Sequence, residues 1–155
     1  MSSPLPAKAF VALKEHRSER VAEIVAQRPP RRELAALDTT RWPIVVATLT
    51  ATNLEELLDG ITACHLRGHF ALVTDLRSAP PLNAHQRHLI AAARLADQER
   101  FPGVRLAGAT VASNPTQDRS VLALNWLADV NYPHQAFTNL DFALAWCDVQ
   151  LKVAA

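Results

Sequence analysis

The chain has 155 residues, a single-domain length with enough material for a substantial core. Its 16 Lys and Arg nearly cancel 15 Asp and Glu, and the formal charge of +1 at pH 7 gives no electrostatic case for nucleic acid or an acidic membrane surface as a partner. No run of 18 apolar residues offers a membrane span, and "MSSPLPAKAF" lacks the charged start and apolar stretch of a secretory signal, so the expected compartment is the cytoplasm.

The first 41 residues read as an N-terminal helix and a proline-containing linker. "AFVALKEHRSERVAEIVAQ" spaces Phe10, Leu13, Val21, Ile24 and Val25 in a loosely helical way among polar residues. Pro29 and Pro30 in "RPPRR" cannot continue a helix, and the chain returns through "ELAALDTTRW". The basic residues cluster in this segment, which reads either as an electrostatic docking arm or as a solvated helix face.

From Trp42 the pattern alternates. "WPIVVATLT" has contiguous Ile44, Val45 and Val46, as in a strand covered on both faces. "TNLEELLDGITACHLRG" places Leu54, Leu57, Leu58, Ile61 and Cys64 on one helical stripe, with Thr52 and Glu55 as a capping box and Gly68 as the stop. "HFALVTDL" is a second strand. Asn83 and Gln86 can cap the helix that follows it to about Phe101. "VRLAGATVAS" is a third strand, and "NPTQDRSVLALNWLADV" a helix capped by Asn114 with Pro115 in its first turn. "HQAFT" is a short extended piece. "LDFALAWCDVQLKV" is a last helix with Phe142, Ala145, Trp146, Val149 and Val153 on one stripe. Trp126 and Trp146 read as core, whereas Asn125 needs a polar partner. Cys64 and Cys147 have no C-x-x-C spacing and read as small core residues rather than disulfide partners or metal ligands.

Strands alternating with helices imply parallel pairing through right-handed crossovers. The expected fold is α/β, a mixed or mostly parallel sheet of four to five strands with four to five helices, over residues 42–155, preceded by the N-terminal helix.

Ligands of an open α/β sheet usually meet the carboxyl ends of its strands. There the sequence gathers Asp75, Arg77, Ser78, Asn83, His85, Arg87, His88, Asn114, Asp118 and Arg119. With only four glycines, at 60, 68, 103 and 108, the chain has neither a glycine-turn nucleophile nor a glycine-rich phosphate loop. An enzyme using Asp75 and His85, with Ser78 as a nucleophile, would need a tertiary coincidence. His85 and His88, three apart, could face one ion, as could His65 and His69, but neither pair has a third placed ligand. The helix start near Asn83, with Arg77 and Arg87, suits a phosphate or a partner's carboxylate. Alternatively, Arg87 is solvated or pairs with Asp75.

The order "VVATLT", "EEL", "GHFALVTDL", "GATV" and "AFTNLDFALAW" resembles the STAS domain superfamily, closest to its divergent group similar to the sporulation anti-anti-sigma factor. The likeness spans about residues 42–152 and rests on "LTATNLEEL", on "ALVTDLRSA" ending its strand at Asp75, and on the closing "FTNLDFALAW". It implies a non-enzymatic, regulatory binding domain without a cofactor or metal. Members act through protein partners, often under kinase control, and some bind small lipidic or nucleotide ligands. In phosphorylated members an Asp-Ser-Ser-Gly motif opens the corresponding helix. Asn83, Ala84, His85 and Gln86 stand at those places, so the phosphoacceptor serine is missing, and Ser78 in the preceding loop does not replace it. The expected partner surface is the loop 77–83 with Arg87, Arg94 and the "NPTQDR" segment carrying Arg119. A homodimer formed through an exposed apolar helix, and an anion or lipid held between sheet and helices, remain open beside it.

Overall fold

Uninterrupted apolar runs become the middle of a sheet. The computed structural model describes residues 7–27, 35–113 and 130–154. Its elements are α1 (Ala7–Gln27), β1 (Leu37–Arg41), β2 (Ile44–Thr48), α2 (Leu54–Cys64), β3 (Phe70–Asp75), α3 (Ala84–Arg100), β4 (Arg105–Val111), β5 (His134–Phe137) and α4 (Leu140–Ala154). The strands lie side by side in chain order. β2, β3, β4 and β5 are parallel, and β1 is an antiparallel edge. The fold is therefore α/β with a mostly parallel mixed sheet, as the alternating pattern predicts. The predicted helix over "NPTQDRSVLALNWLADV", with Asn125 and Trp126, lies outside the described residues, as do Asn114, Asp118 and Arg119.

Successive strands in one order, joined by crossovers of one hand, place their helices on one face. α2 and α3 accordingly share a core with Val45, Ala47, Phe70 and Leu72. The alternate residues Ile44, Val46, Ala71 and Val73 face the other way, where Ala107, Ala109 and Val111 meet Ala143, Leu144 and Cys147 of α4. α1 packs against α3 and α2 as an outer layer. Its Val21 and Ile24 are buried, and so is Arg17.

Two local expectations change. Thr52 and Glu55 do not cap α2. Asn53 precedes that helix instead, accepting from the Thr50 amide at 2.8 Å and donating to the Thr48 carbonyl at 3.0 Å, which ties strand end to helix start. α2 then ends in a tightened turn, with i→i+3 bonds from the amides of His65, Leu66 and Arg67. Gly68 stops it at φ 129°.

The α4 stripe of Phe142, Ala145, Val149 and Val153 is exposed rather than inward. α4 is apolar nearly all round, so periodicity alone cannot choose its buried face. Small Ala143 and Cys147 choose it, because they let the helix approach the alanines of β4. Trp146 is half-buried, packed on Phe137 at 5.7 Å between ring centroids. Cys64 and Cys147 are unpaired buried thiols on opposite faces of the sheet.

Gly108 in β4 sits beneath two rings. A Cβ there would lie 2.8 Å from His134 Cδ2 and 3.0 Å from Tyr132 Cε2. Gly108→Ala is expected to destabilise the protein by about 1–3 kcal/mol, the usual cost of overpacking, read as a lower urea midpoint at unchanged slope. An unchanged midpoint would show that the rings move aside freely.

Candidate functional site

The segment between β3 and α3 converts a strand end into a helix start. Leu76, Ala79 and Leu82 plug into the core, one every third residue. Arg77, Ser78, Pro80 and Pro81 between them, and Asn83 after them, are exposed.

Both ends of this loop are pinned. Asp75 is 6 % exposed. Its Oδ1 accepts from the Arg77 amide and from Arg77 Nε, each at 3.0 Å, and its Oδ2 accepts from Arg77 Nη2 at 2.8 Å. Burial works to raise the Asp75 carboxyl, but the Arg77 hydrogen bonds and charge outweigh it and hold the carboxyl below its ordinary value. At the other end the expected capping box is complete. Asn83 Oδ1 accepts from the Gln86 amide at 2.8 Å, and the Asn83 amide donates to Gln86 Oε1 at 3.0 Å.

The crossing does not gather all of its sequence candidates. His85 is exposed, whereas His88 is buried, with Nδ1 2.6 Å from the Ala84 carbonyl oxygen and its ring edge-on to Phe10. Among the described residues no hydrogen bond joins Asp75 to His85, and no three His, Cys, Asp or Glu side chains form a metal-ligating group. Arg87 does not pair with Asp75. Its Nη1 donates to the Leu82 carbonyl at 2.7 Å. Arg94, expected on the partner-facing side of this helix, is 9 % exposed and turned inward. Arg119 lies outside the described residues.

A second polar assembly, missed from the sequence, lies at the opposite, amino ends of the strands. β4 carries a bulge. Phe70 pairs with Arg105 while Ala71 pairs with Ala107. The extra residue turns Arg105 to the α3 face, against the alternation of its strand. There Arg105 Nη2 donates to Asp97 Oδ2 and Nη1 donates to the Tyr132 hydroxyl, both at 3.2 Å. Asp97 Oδ1 accepts from Thr62 Oγ1 at 2.7 Å. Arg17 reaches Thr62 Oγ1 at 3.4 Å and Asp59 Oδ1 at 2.8 Å. Arg20 holds the other Asp59 oxygen at 3.0 Å. A continuous polar chain thus runs from α1 through α2 and α3 to β4.

Two histidines flank it. His65 stacks on Phe101 at 5.0 Å and meets Phe70 edge-on at 4.9 Å. His134 places Nε2 3.2 Å from Thr110 Oγ1. Burial pushes the His65 and His134 rings down to about 3, helped by Arg105 at His65 and by Arg94 and Arg105 at His134. Burial also lowers the Arg94 guanidinium. For Asp97, burial raises the carboxyl despite the opposing Arg105 charge and Thr62 hydrogen bond.

The sequence does carry a signal for this assembly. Arg94 and Asp97 interrupt the alanine-rich "LIAAARLADQ", and Arg105 opens an apolar strand. Charged residues at apolar positions ask for buried partners. Compared with family models, curated proteins and solved structures, the chain matches none of them.

Two outcomes test this geometry. Asn83→Ala removes one half of the capping box and is expected to cost about 1 kcal/mol in thermal or urea unfolding. A neutral result would show that the cap does not hold the crossing. The buried histidines stay neutral in the folded protein but titrate near 6.5 when unfolded. Their contribution is complete above pH 6.5 and is lost as pH falls toward 3. Unfolding at pH 5 is expected to need roughly 2–4 kcal/mol less than at pH 7. A flat profile between those values would mean that both rings are solvated.

Proposed function

We propose that this chain is a non-enzymatic regulatory domain of STAS-like type that binds a protein partner through the β3–α3 crossing and lacks the standard phosphoacceptor serine. The observation that carries this reading is the pinned loop. Apolar anchors and two locked ends present Arg77, Ser78, Pro80, Pro81, Asn83 and His85 in one fixed arrangement. A surface ordered before contact loses little conformational entropy when a partner docks.

The α/β architecture, with its mostly parallel sheet and closing helix, is compatible with the resemblance carried by "LTATNLEEL", "ALVTDLRSA" and "FTNLDFALAW". Asp75 weighs against the enzyme reading. A general base needs a carboxylate aimed at a substrate proton, and both oxygens of Asp75 are engaged by Arg77. The places of the two serines are taken by Ala84 and His85, between the capping residues Asn83 and Gln86, so the crossing acts as a constant docking surface and not as a phosphorylation switch.

The test is affinity capture with the full chain from its native host, comparing wild type with Ser78→Arg/His85→Glu. Both positions are exposed, so the double variant should fold with a stability change within about 0.5 kcal/mol per site. Arg87 is avoided, because it holds the Leu82 carbonyl. A stoichiometric partner whose recovery falls at least about tenfold in the variant, equivalent to about 1.4 kcal/mol, is the expected result. Undiminished recovery would remove the crossing as the docking surface.

A further inference from the structure

α4 is apolar nearly all round, yet only one side of it meets the sheet. Ala143, Leu144 and Cys147 on that side are buried. On the outer side Phe142, Val149 and Val153 are 68 %, 54 % and 76 % exposed, and Ala145 lies exposed among them. Steps of three, four and four residues from Phe142 through Ala145 and Val149 to Val153 set these side chains on one stripe. A helix that is apolar on both sides is normally covered on both, and a contiguous exposed apolar patch rimmed by polar residues marks a contact surface.

The edges of the stripe point to what covers it. Along one edge lie Asp141, Asp148 and Lys152, all exposed, and along the other lie half-buried Trp146 and Gln150. When α4 packs antiparallel on a second α4 about a two-fold axis, the two charged edges fall on the same side, reversed end for end. Asp141 then faces Lys152 of the second copy at both ends of the contact. Phe142 faces Val153, and Ala145 with Val149 forms a small-residue middle where the helices approach closely. Asp148, near the axis, faces its own equivalent and is offset by Lys152 of the same chain at 3.0 Å. A parallel pair would set the charged edge against Trp146 and Gln150, with no charge to meet it. At 15 residues α4 is too short to cross a membrane, and an edge with two acids to one base does not suit an anionic lipid surface.

We infer that the outer face of α4 is a homodimer interface, in which α4 packs antiparallel on the α4 of a second copy of this chain. The contact is a single pair of short helices, so its area lies at the low end of specific interfaces and the association is micromolar rather than obligate. None of the crossing residues takes part, so the dimer does not depend on the docking function proposed for them.

The experiment is sedimentation equilibrium of the full chain over a range of concentrations, in which the mass should rise from one chain to two. Val149→Glu puts an extra acid beside the axis and should raise the dissociation constant at least about tenfold, with the melting temperature of the dilute protein unchanged. Asp141→Lys and Lys152→Glu each set like charges against each other and should each weaken self-association. Mixing these two variants brings opposite charges together at both ends and should restore it. A wild type that stays monomeric at every concentration would overturn the inference, whether or not it sediments with phosphatidylglycerol vesicles. So would a dimer that Val149→Glu leaves intact, because the contact then lies elsewhere. Charge variants that associate no better mixed than alone would overturn the antiparallel seating, and this reading does not rely on the Val149 variant folding.

Discussion

The Asp97–Arg105 ion pair holds the layers of this protein to one another. Asp97 is 2 % and Arg105 7 % exposed, and their closest approach is 3.2 Å. In that setting neither charge can be satisfied by solvent, so each depends on the other and on the groups lined up behind it. Thr62 from α2 fills the second Asp97 oxygen, and Arg17 from α1 continues the line to Asp59. Removing one member of such a pair is far more costly than never having built it, because the survivor is left as an uncompensated buried charge. The arrangement makes four separate elements agree on one relative position, which apolar packing, being non-directional, does less sharply.

The bulge at the start of β4 follows from the same requirement. A strictly alternating strand would send Arg105 toward α4, into a layer of alanines with no acceptor. The extra residue sends it to α3 and Asp97 instead. The neutral histidines fit the same setting, since burial disfavours their charged form and the guanidinium of Arg105, joined by Arg94 at His134, adds like charge.

The two faces of the sheet solve different packing problems. On one side Phe70 and Leu72 of the sheet meet Leu57 and Ile61 of α2 and Leu89 of α3, large side chains that fill a deep layer closed off by α1. Facing α4 are mainly alanine and valine, which hold the helix close and leave its outer side, with Phe142, Val149 and Val153, in solvent. The polar chemistry is divided between the two ends of the sheet. The carboxyl end has a rigid, exposed loop whose one buried carboxylate is spent on Arg77. The amino end has a buried cluster in which Arg105, Asp97, Thr62 and Tyr132 are hydrogen-bonded to one another. The first lies at the surface, and the second ties the layers together from within.

The sequence by itself determined the alternation of strand and helix, and with it the α/β class, because apolar runs and helical stripes are local patterns. The Asn83–Gln86 capping box was legible for the same reason, as its two residues are three apart and need nothing else. Only the tertiary structure decided the antiparallel edge strand β1, whose "LDTTR" carries no apolar alternation, and the face of α4 that is buried, since apolar residues lie nearly all round that helix. It also decided the roles of Arg94, Asp97 and Arg105. In the sequence they show only as charges that interrupt apolar runs, without naming a partner, and Thr62 and Tyr132, which complete the group, lie 35 and 27 residues from their partners. A buried charge is stable only where distant segments supply its counterpart, and no local pattern encodes that meeting.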